Sequence, residues 1–311
     1  MKFYIGVDGG GTKTAYALFD ENKNVIAEHE GPASNHENME GSFPEAAGII
    51  AEGVKTVAAK GNVDLADVSG MLMGLAGIDH PYQHDAMQEE LGKLGVTGAR
   101  IYNDGFIVIK AGVGAGAGIG YNCGTGTCCN SIDSDGNMLQ VGGFGILSGD
   151  AGNGYWIAEQ TFAAIYSDIC LKANETMMTE IFCAKVGINA TAEDYLPCVT
   201  KFEETEREQY CMYLTDTFFE AANKGDKVAL EITEAMAEKG SDYICAHLKM
   251  QNFAEETVNV VLSGSMNVKM PNEIYLASLK EKCEAKSGRK LNFIKLEAAP
   301  VTGCINWLLE K

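Results

Sequence analysis

The pattern of apolar and polar positions along the chain states one arrangement twice. Between Tyr4 and Gly31, short apolar runs separated by polar or glycine-rich turns predict three consecutive strands, Tyr4–Asp8, Thr14–Phe19 and Val25–Glu30, joined by GGGTK and DENKN. The pattern returns between Ala117 and Gly142. Here strands are predicted at Ala117–Asn122, Thr127–Asp133 and Met138–Gly142, with CGTG and SDGN as turns, and Asp-Gly in the latter is a hairpin signal.

After each triplet the pattern changes to alternating helices and strands. In the first half it predicts helices over Pro44–Lys60 and Gln83–Lys93, strands at Gly70–Ala76 and Arg100–Asn103, and a helix after Asp104. The second half predicts helices near Tyr155–Lys172, Tyr210–Lys224, Asp226–Lys249 and Pro271–Lys286, strands at Thr257–Ser263 and Leu291–Leu296, and a last helix at Val301–Glu310. Helical spacing is explicit at Leu214, Phe218, Ala221 and Ala222, and again at Val228, Ile232, Ala235 and Met236. A strand triplet followed by alternating helices and strands, given twice, predicts an α/β fold of two similar domains facing each other across a cleft. The expected domains are 1–114 and 115–311, with a joint in the Gly/Ala-rich stretch Ala111–Gly118 that lets them close. Spacing alone leaves open whether the last helix packs back on the first domain.

A length of 311 residues fits two domains at about 150 residues each. The net charge of −19, from 43 acidic and 24 basic residues, argues against nucleic acid and anionic membranes as partners. A nucleotide remains compatible, because backbone amides and a metal ion neutralise phosphates locally. Neither the apolar region of a signal peptide nor a run of about 20 apolar residues is evident. The ten cysteines, none in a C-x2-C pair, therefore read as reduced thiols, and a cytoplasmic location is expected.

Four segments are candidates for chemistry. In DGGGTKT, Asp8 to Thr14, three successive glycines let backbone amides approach an anion; Thr12 and Lys13 add a hydroxyl and a cation, and Asp8 is suited to a hydrated magnesium. The same glycines also suit a plain tight turn, and the segment is not a Walker A loop, since Thr12 separates Gly11 from Lys13 and a strand follows. CGTGT, Cys123 to Thr127, occupies the equivalent turn of the repeat, so the two turns are expected to face each other and clamp a polyphosphate. Asp104 lies just past an apolar strand, where ligands of α/β sheets gather. Its position suits a general base and a helix cap equally. GGFGILSGDAGNGYW, Gly142 to Trp156, is a glycine-rich loop leading into a helix; Asp150 and Asn153 suit the hydroxyls of a neutral substrate, and Asn153 equally suits an N-cap. His80 and His84 are separated by Pro81 outside any H-E-x-x-H pattern, no G-x-S-x-G occurs, and Phe202–Glu208 reads as a solvated helix face.

Taken together and in order, DGGGTKT, SNH at 34–36, GLAG at 74–77, ND at 103–104, GTGT at 124–127, GGFG at 142–145, GDAGNGYWIA at 149–158, SGS at 263–265 and APVTGCINWLL at 299–309 resemble the N-acetylglucosamine kinase branch of the BadF/BadG-type ATPase family. That family lies within the actin, Hsp70 and sugar-kinase superfamily, and the resemblance covers essentially the whole chain. It implies duplicated actin-like (ribonuclease H-like) domains, ATP and Mg2+ as cofactors, an amino sugar as acceptor and a homodimer. Gly10, Gly11, Thr12 and Lys13 would lie along the β- and γ-phosphates, with Thr125 and Gly126 opposite and Asp8 holding the magnesium. Gly264 and Ser265 would lie beside the adenosine. Asn35 and Asp150 would bind sugar hydroxyls, Gly143–Gly145 would border the N-acetyl group, and Asp104 would take the proton of the 6-hydroxyl.

The chain departs from the family pattern at Ala151, Phe144 and Glu37, all near the expected sugar pocket, so glucosamine or N-acetylmuramate stand beside N-acetylglucosamine as acceptors. An acidic Glu37 lining that pocket would favour an amine over a lactyl carboxylate. Two other readings compete. One is the iron–sulfur ATPase that activates 2-hydroxyacyl-CoA dehydratases, raised by Cys123, Cys128 and Cys129. The other is a sugar or nucleotide sensor without catalysis.

Overall fold

The computed structural model describes residues 2–270 and 272–310, and it contains two five-stranded sheets of one design. In the first, β1 (Phe3–Gly9), β2 (Lys13–Asp20) and β3 (Val25–Pro32) form an antiparallel triplet. Strand β4 (Val68–Leu75) then pairs in parallel with β1, and β5 (Ala99–Tyr102) with β4. In the second, β6 (Gly118–Cys123), β7 (Thr127–Ile132) and β8 (Met138–Gly142) are the triplet. Strand β9 (Thr257–Ser263) pairs in parallel with β6, and β10 (Lys290–Lys295) with β9. The orders β3-β2-β1-β4-β5 and β8-β7-β6-β9-β10 are the same, as the repeated pattern predicts.

Burial follows position in the sheet. Val258, Val260, Val261 and Leu262 of β9 are buried, as expected for a parallel strand covered on both faces, whereas edge strand β3 turns Glu28 and Glu30 to solvent.

The first half carries helices α1 (Ser42–Lys60), α2 (Pro81–Lys93) and α3 (Asp104–Val113). The second carries α4 (Gly154–Tyr166), α5 (Met177–Val186), the short turns α6 (Ala192–Tyr195) and α7 (Cys198–Thr200), α8 (Arg207–Asn223) and α9 (Lys227–Met250). Helices α10 (Ser265–Lys269), α11 (Asn272–Ser287) and α12 (Thr302–Leu308) complete the chain. The helix expected over Tyr155–Lys172 keeps α geometry only to Tyr166, then forms a π-turn that ends with Lys172 in the left-handed region at φ 52°. Helices α5–α7 and α10 were not expected. Only α5 among them exceeds five residues, and burial of Met178 and Phe182, one turn apart, holds it. Pro271, the expected start of α11, lies outside the described residues.

Helix α3 lies between the sheets, touching β1 and β4 on one side and β6, β7 and β9 on the other. Its close seating depends on small residues opposite its bulk: a Cβ on Gly74 would meet Ile107 at 2.6 Å, and one on Gly120 would meet Ile109 at 2.9 Å. Helix α12 packs on α3, β1 and β4, so the end of the chain returns to the first sheet. There Gly303 abuts the Ile107 carbonyl so closely that a Cβ would overlap it. The pairing of Lys110 Nζ with Glu310 at 2.6 Å secures the same layer, and Glu310 also accepts from the Gly116 amide at 2.6 Å. Gly303→Ala is expected to lower unfolding stability by about 1–3 kcal/mol through overpacking, measured by denaturant titration. Unchanged stability would mean that α12 is not seated this way.

Candidate active site

Both glycine turns open onto the space between the halves. The first is bolted underneath: the Gly10 amide donates to Lys13 O at 3.0 Å, Ser34 N to Gly10 O at 3.1 Å and Ala76 N to Gly9 O at 2.8 Å. Gly11, Thr12 and Lys13 remain exposed. In the second, Gly124 N donates to Gly126 O and Gly154 N to Gly124 O, both at 2.9 Å, with Thr125 and Gly126 exposed. Thr12, Thr125 and Ser265 meet in one cavity of about 490 Å³. Lys13 stands apart, paired with Glu30 at 2.6 Å on the outer surface. Gly264 has a structural reason of its own: at φ +84° it lies against Cys123, where a Cβ would overlap the carbonyl.

Sequence reasoning missed the far wall of this cavity. Cys211, Met212, Thr215 and Asp216 reach it from α8, with Tyr155 from α4 and Lys269 from α10. The i, i+4 pairs Cys211/Thr215 and Met212/Asp216 mark one helix face, but nothing in their types points to a ligand.

Asp104 is the first residue of α3, and Asn103 does the capping, its side chain accepting from Gly105 N at 2.9 Å. The carboxylate of Asp104 is thus spared that job, and no side-chain donor reaches it among the described residues. Burial pushes its pKa up to about 7, reinforced by the negative charges of Asp8 and Asp79, while the amides of residues 104 and 105 pull the other way. Asp8, at the end of β1, is raised to about 6, again chiefly by burial, with Lys13 opposing.

A polar bridge crosses the cleft beside Asp104. Asp79 Oδ1 accepts from Asn103 Nδ2 at 2.9 Å and from Gln140 Nε2, in β8 of the other half, at 2.8 Å. Buried Asn130 donates to Asn103 Oδ1 at 3.3 Å and Gln140 Oε1 at 3.4 Å. The rings of His80 and Phe144 also stack across the halves with centroids 6.0 Å apart. Asp79 follows β4 as Asp104 follows β5, so its place past a parallel strand was a legible signal.

Where an acceptor was expected, Asn35 Oδ1 accepts from Glu37 N at 3.0 Å and lies against Gly77, while buried His36 stacks on Phe43 at 3.9 Å. The carboxylate of Asp150 is engaged by its own loop. Its Oδ2 accepts from Gly143 N at 3.0 Å and Gly145 N at 2.9 Å, and its Oδ1 from Ser148 Oγ at 2.7 Å and Tyr243 OH at 3.0 Å. Any sugar hydroxyl at Asp150 would share or exchange these partners. Asn153 is committed to the N-cap of α4, accepting from Trp156 N at 3.0 Å. Cys123 and Cys129 are buried, which holds both thiols well above their ordinary pKa, and Cys128 is half-buried.

The model of the BadF/BadG/BcrA/BcrD ATPase family matches residues 5–294. The chain belongs to this family. Over 276 residues it is 27% identical to the N-acetyl-D-glucosamine kinase of Dictyostelium discoideum, with 85% of each chain covered. Over 239 residues it is 26% identical to the N-acetylmuramic acid/N-acetylglucosamine kinase of Clostridium acetobutylicum, with 76% of each covered. Among solved structures, a Chromobacterium violaceum protein provisionally named an N-acetylglucosamine kinase matches with a TM-score of 0.70 at 18% identity, covering 100% of this chain and 99% of that one. At that identity the match speaks for the fold, which is the duplicated actin-like one.

The raised carboxylates have a cost in stability. With its folded pKa above the unfolded value of 3.8, Asp104 is charged and destabilising above about pH 7, and the penalty fades as pH falls and the folded form takes up a proton. Asp104→Asn should therefore raise Tm at pH 8 by roughly 2 °C or more, with a smaller gain at pH 5. Scanning calorimetry at both pH values checks this, and a lower Tm at pH 8 contradicts it.

Proposed function

We propose that the protein is an ATP-dependent kinase that transfers the γ-phosphoryl group to the 6-hydroxyl of an amino sugar, N-acetylglucosamine in the first instance. The carrying observation is geometric: Thr12 and Thr125 line one cavity from the two halves, and Asp104, at the start of α3, stands close enough to Asp8 and Asp79 to feel their charges, with no side-chain donor of its own among the described residues. Family membership and the names of the relatives support the reading.

In-line phosphoryl transfer asks a protein mainly for positioning and charge neutralisation. Gly10, Gly11, Thr12 and Lys13 take the β- and γ-phosphates from one side and Thr125 and Gly126 from the other, with Lys13 exchanging the exposed Glu30 for phosphate at little cost. The adenosine extends along Gly264 and Ser265 toward α8. Asp8 fits a hydrated Mg2+: it is a single half-buried carboxylate whose burial outweighs the nearby Lys13 charge, and magnesium binds through one or two carboxylates plus substrate phosphates and retained waters. When bound, that ion neutralises charge on the β- and γ-oxygens.

On the acceptor side Asn35 meets sugar hydroxyls, with Asp150 and the Gly143–Gly145 loop it organises bordering the N-acetyl group. Asp104 orients the 6-hydroxyl and takes its proton, and its pKa near the working pH suits a general base. Rotation of domains 1–114 and 115–311 about Ala111–Gly118 would exclude water from the transferring group. A homodimer and a cytoplasmic location fit this reading, the latter supported by ten free cysteines.

The test is ADP release from Mg-ATP with N-acetylglucosamine and glucosamine, using wild type and Asp104→Asn. Stimulation by a sugar is expected, with kcat at least about 10²-fold lower in the variant while ATP still binds. Because Asp104 acts as its anion, kcat/KM should rise with pH through about 7. No stimulation by any amino sugar would defeat the reading.

A further inference from the structure

The acceptor side of the cleft carries several carboxylates and no fixed cation. The segments that border it, 33–38, 76–84, 103–105, 128–130 and 140–150, contain no Lys or Arg; the chain has none from 24 to 54, from 61 to 92 or from 111 to 171. In the same segments stand Glu37, Asp79, Asp104 and Asp150. His36 adds no compensating charge, being buried with its Nδ1 unpartnered and its pKa lowered by burial.

Glu37 is exposed at the edge of this group, with Gln83 beside it. Gln83 Oε1 accepts from the amides of Asp79 at 2.9 Å and His80 at 2.8 Å, and its Nε2 reaches Glu37 Oε1 at 3.5 Å. One amide side chain thus links Glu37 to the loop whose Asp79 flanks Asp104. The backbone of Glu37 is fixed separately by its bond to Asn35 Oδ1 at 3.0 Å, which sets the carboxylate two residues from an expected sugar ligand.

We propose that Glu37 is a specificity-determining residue that makes the acceptor pocket anion-excluding: it admits neutral or cationic amino sugars and rejects those bearing a carboxylate, N-acetylmuramate among them. The proposal rests on the amino-sugar kinase reading and narrows its acceptor class. Its physical basis is like-charge repulsion from an exposed carboxylate at the rim of the cleft. At an effective dielectric of ~20, two negative charges ~8 Å apart repel strongly enough for a tenfold or greater discrimination. The same field favours departure of a doubly charged phosphosugar over its neutral precursor. Specificity of this kind is built by an unfavourable charge placed against the wrong ligand.

The experiment compares N-acetylglucosamine, glucosamine, N-acetylmuramate and the uncharged amide of N-acetylmuramate, which keeps the bulk of the lactyl group without its charge. Expected for wild type is a kcat/KM for N-acetylmuramate at least tenfold below that for its amide. The gap should narrow in Glu37→Gln and at high salt, since screening weakens a charge effect and leaves a steric one unchanged. An amide rejected as strongly as the acid would overturn the proposal in favour of bulk, and an acid used as well as the amide would overturn it outright. Calorimetric binding of the acid and its amide decides the same question without turnover. A protein that phosphorylates no sugar therefore defeats the kinase reading alone, and the binding ratio still judges the pocket.

Discussion

The packing of α3 between the two sheets is the constraint on which the remaining architecture depends. Ile107 presses toward Gly74 of the first sheet and Ile109 toward Gly120 of the second, so one ten-residue helix serves both cores. Its N-terminus consequently lies beside the polar bridge of Asp79, Asn103 and Gln140, and the first residue of the helix is Asp104, the proposed base. Asn103 takes over capping and so leaves Asp104 without a structural duty. The folded chain thereby carries a half-buried carboxylate that destabilises it when charged. Such a group is a poor contributor to stability and a well-suited acceptor of a proton.

Around Asp104 the two halves contribute matching parts. The turn after β1 and the turn after β6 are the same device in equivalent places, and Thr12 and Thr125 share a cavity. Across the cleft Asp79 receives hydrogen bonds from Asn103 and Gln140, so the halves are joined at the site by polar contacts that can break and re-form. Behind it the Lys110–Glu310 pair fixes the returning end of the chain to α3, where breaking the contact would strand the buried Lys110 charge.

Much of this was legible in the sequence, because it is written in period and repetition. The two strand triplets, their glycine turns and the parallel strands that follow each have a local pattern, and local pattern decides strand pairing when one face is buried. Asp104 and the cavity residues Thr12 and Thr125 stood out by residue type and position, while Ser265 came only from the family resemblance. What was not legible depends on tertiary contact. Helix α5 is held by burial of Met178 and Phe182, the α8 wall of the cavity has no distinctive residue types, and the loop-tying role of Asp150 becomes visible only when its four donors are seen together. The role of Asp104 was ambiguous between base and helix cap because aspartate caps well; the structure gives the cap to Asn103.

The central claim is that the α3 wedge desolvates Asp104 enough to make it a base near neutral pH. Its most direct test is the titration of the Asp104 carboxyl by carbon-13 NMR of aspartate-labelled protein, assigned by the resonance missing in Asp104→Asn. The account predicts a midpoint near 7 for the free protein. A midpoint at the ordinary aspartate value of about 4 would contradict it.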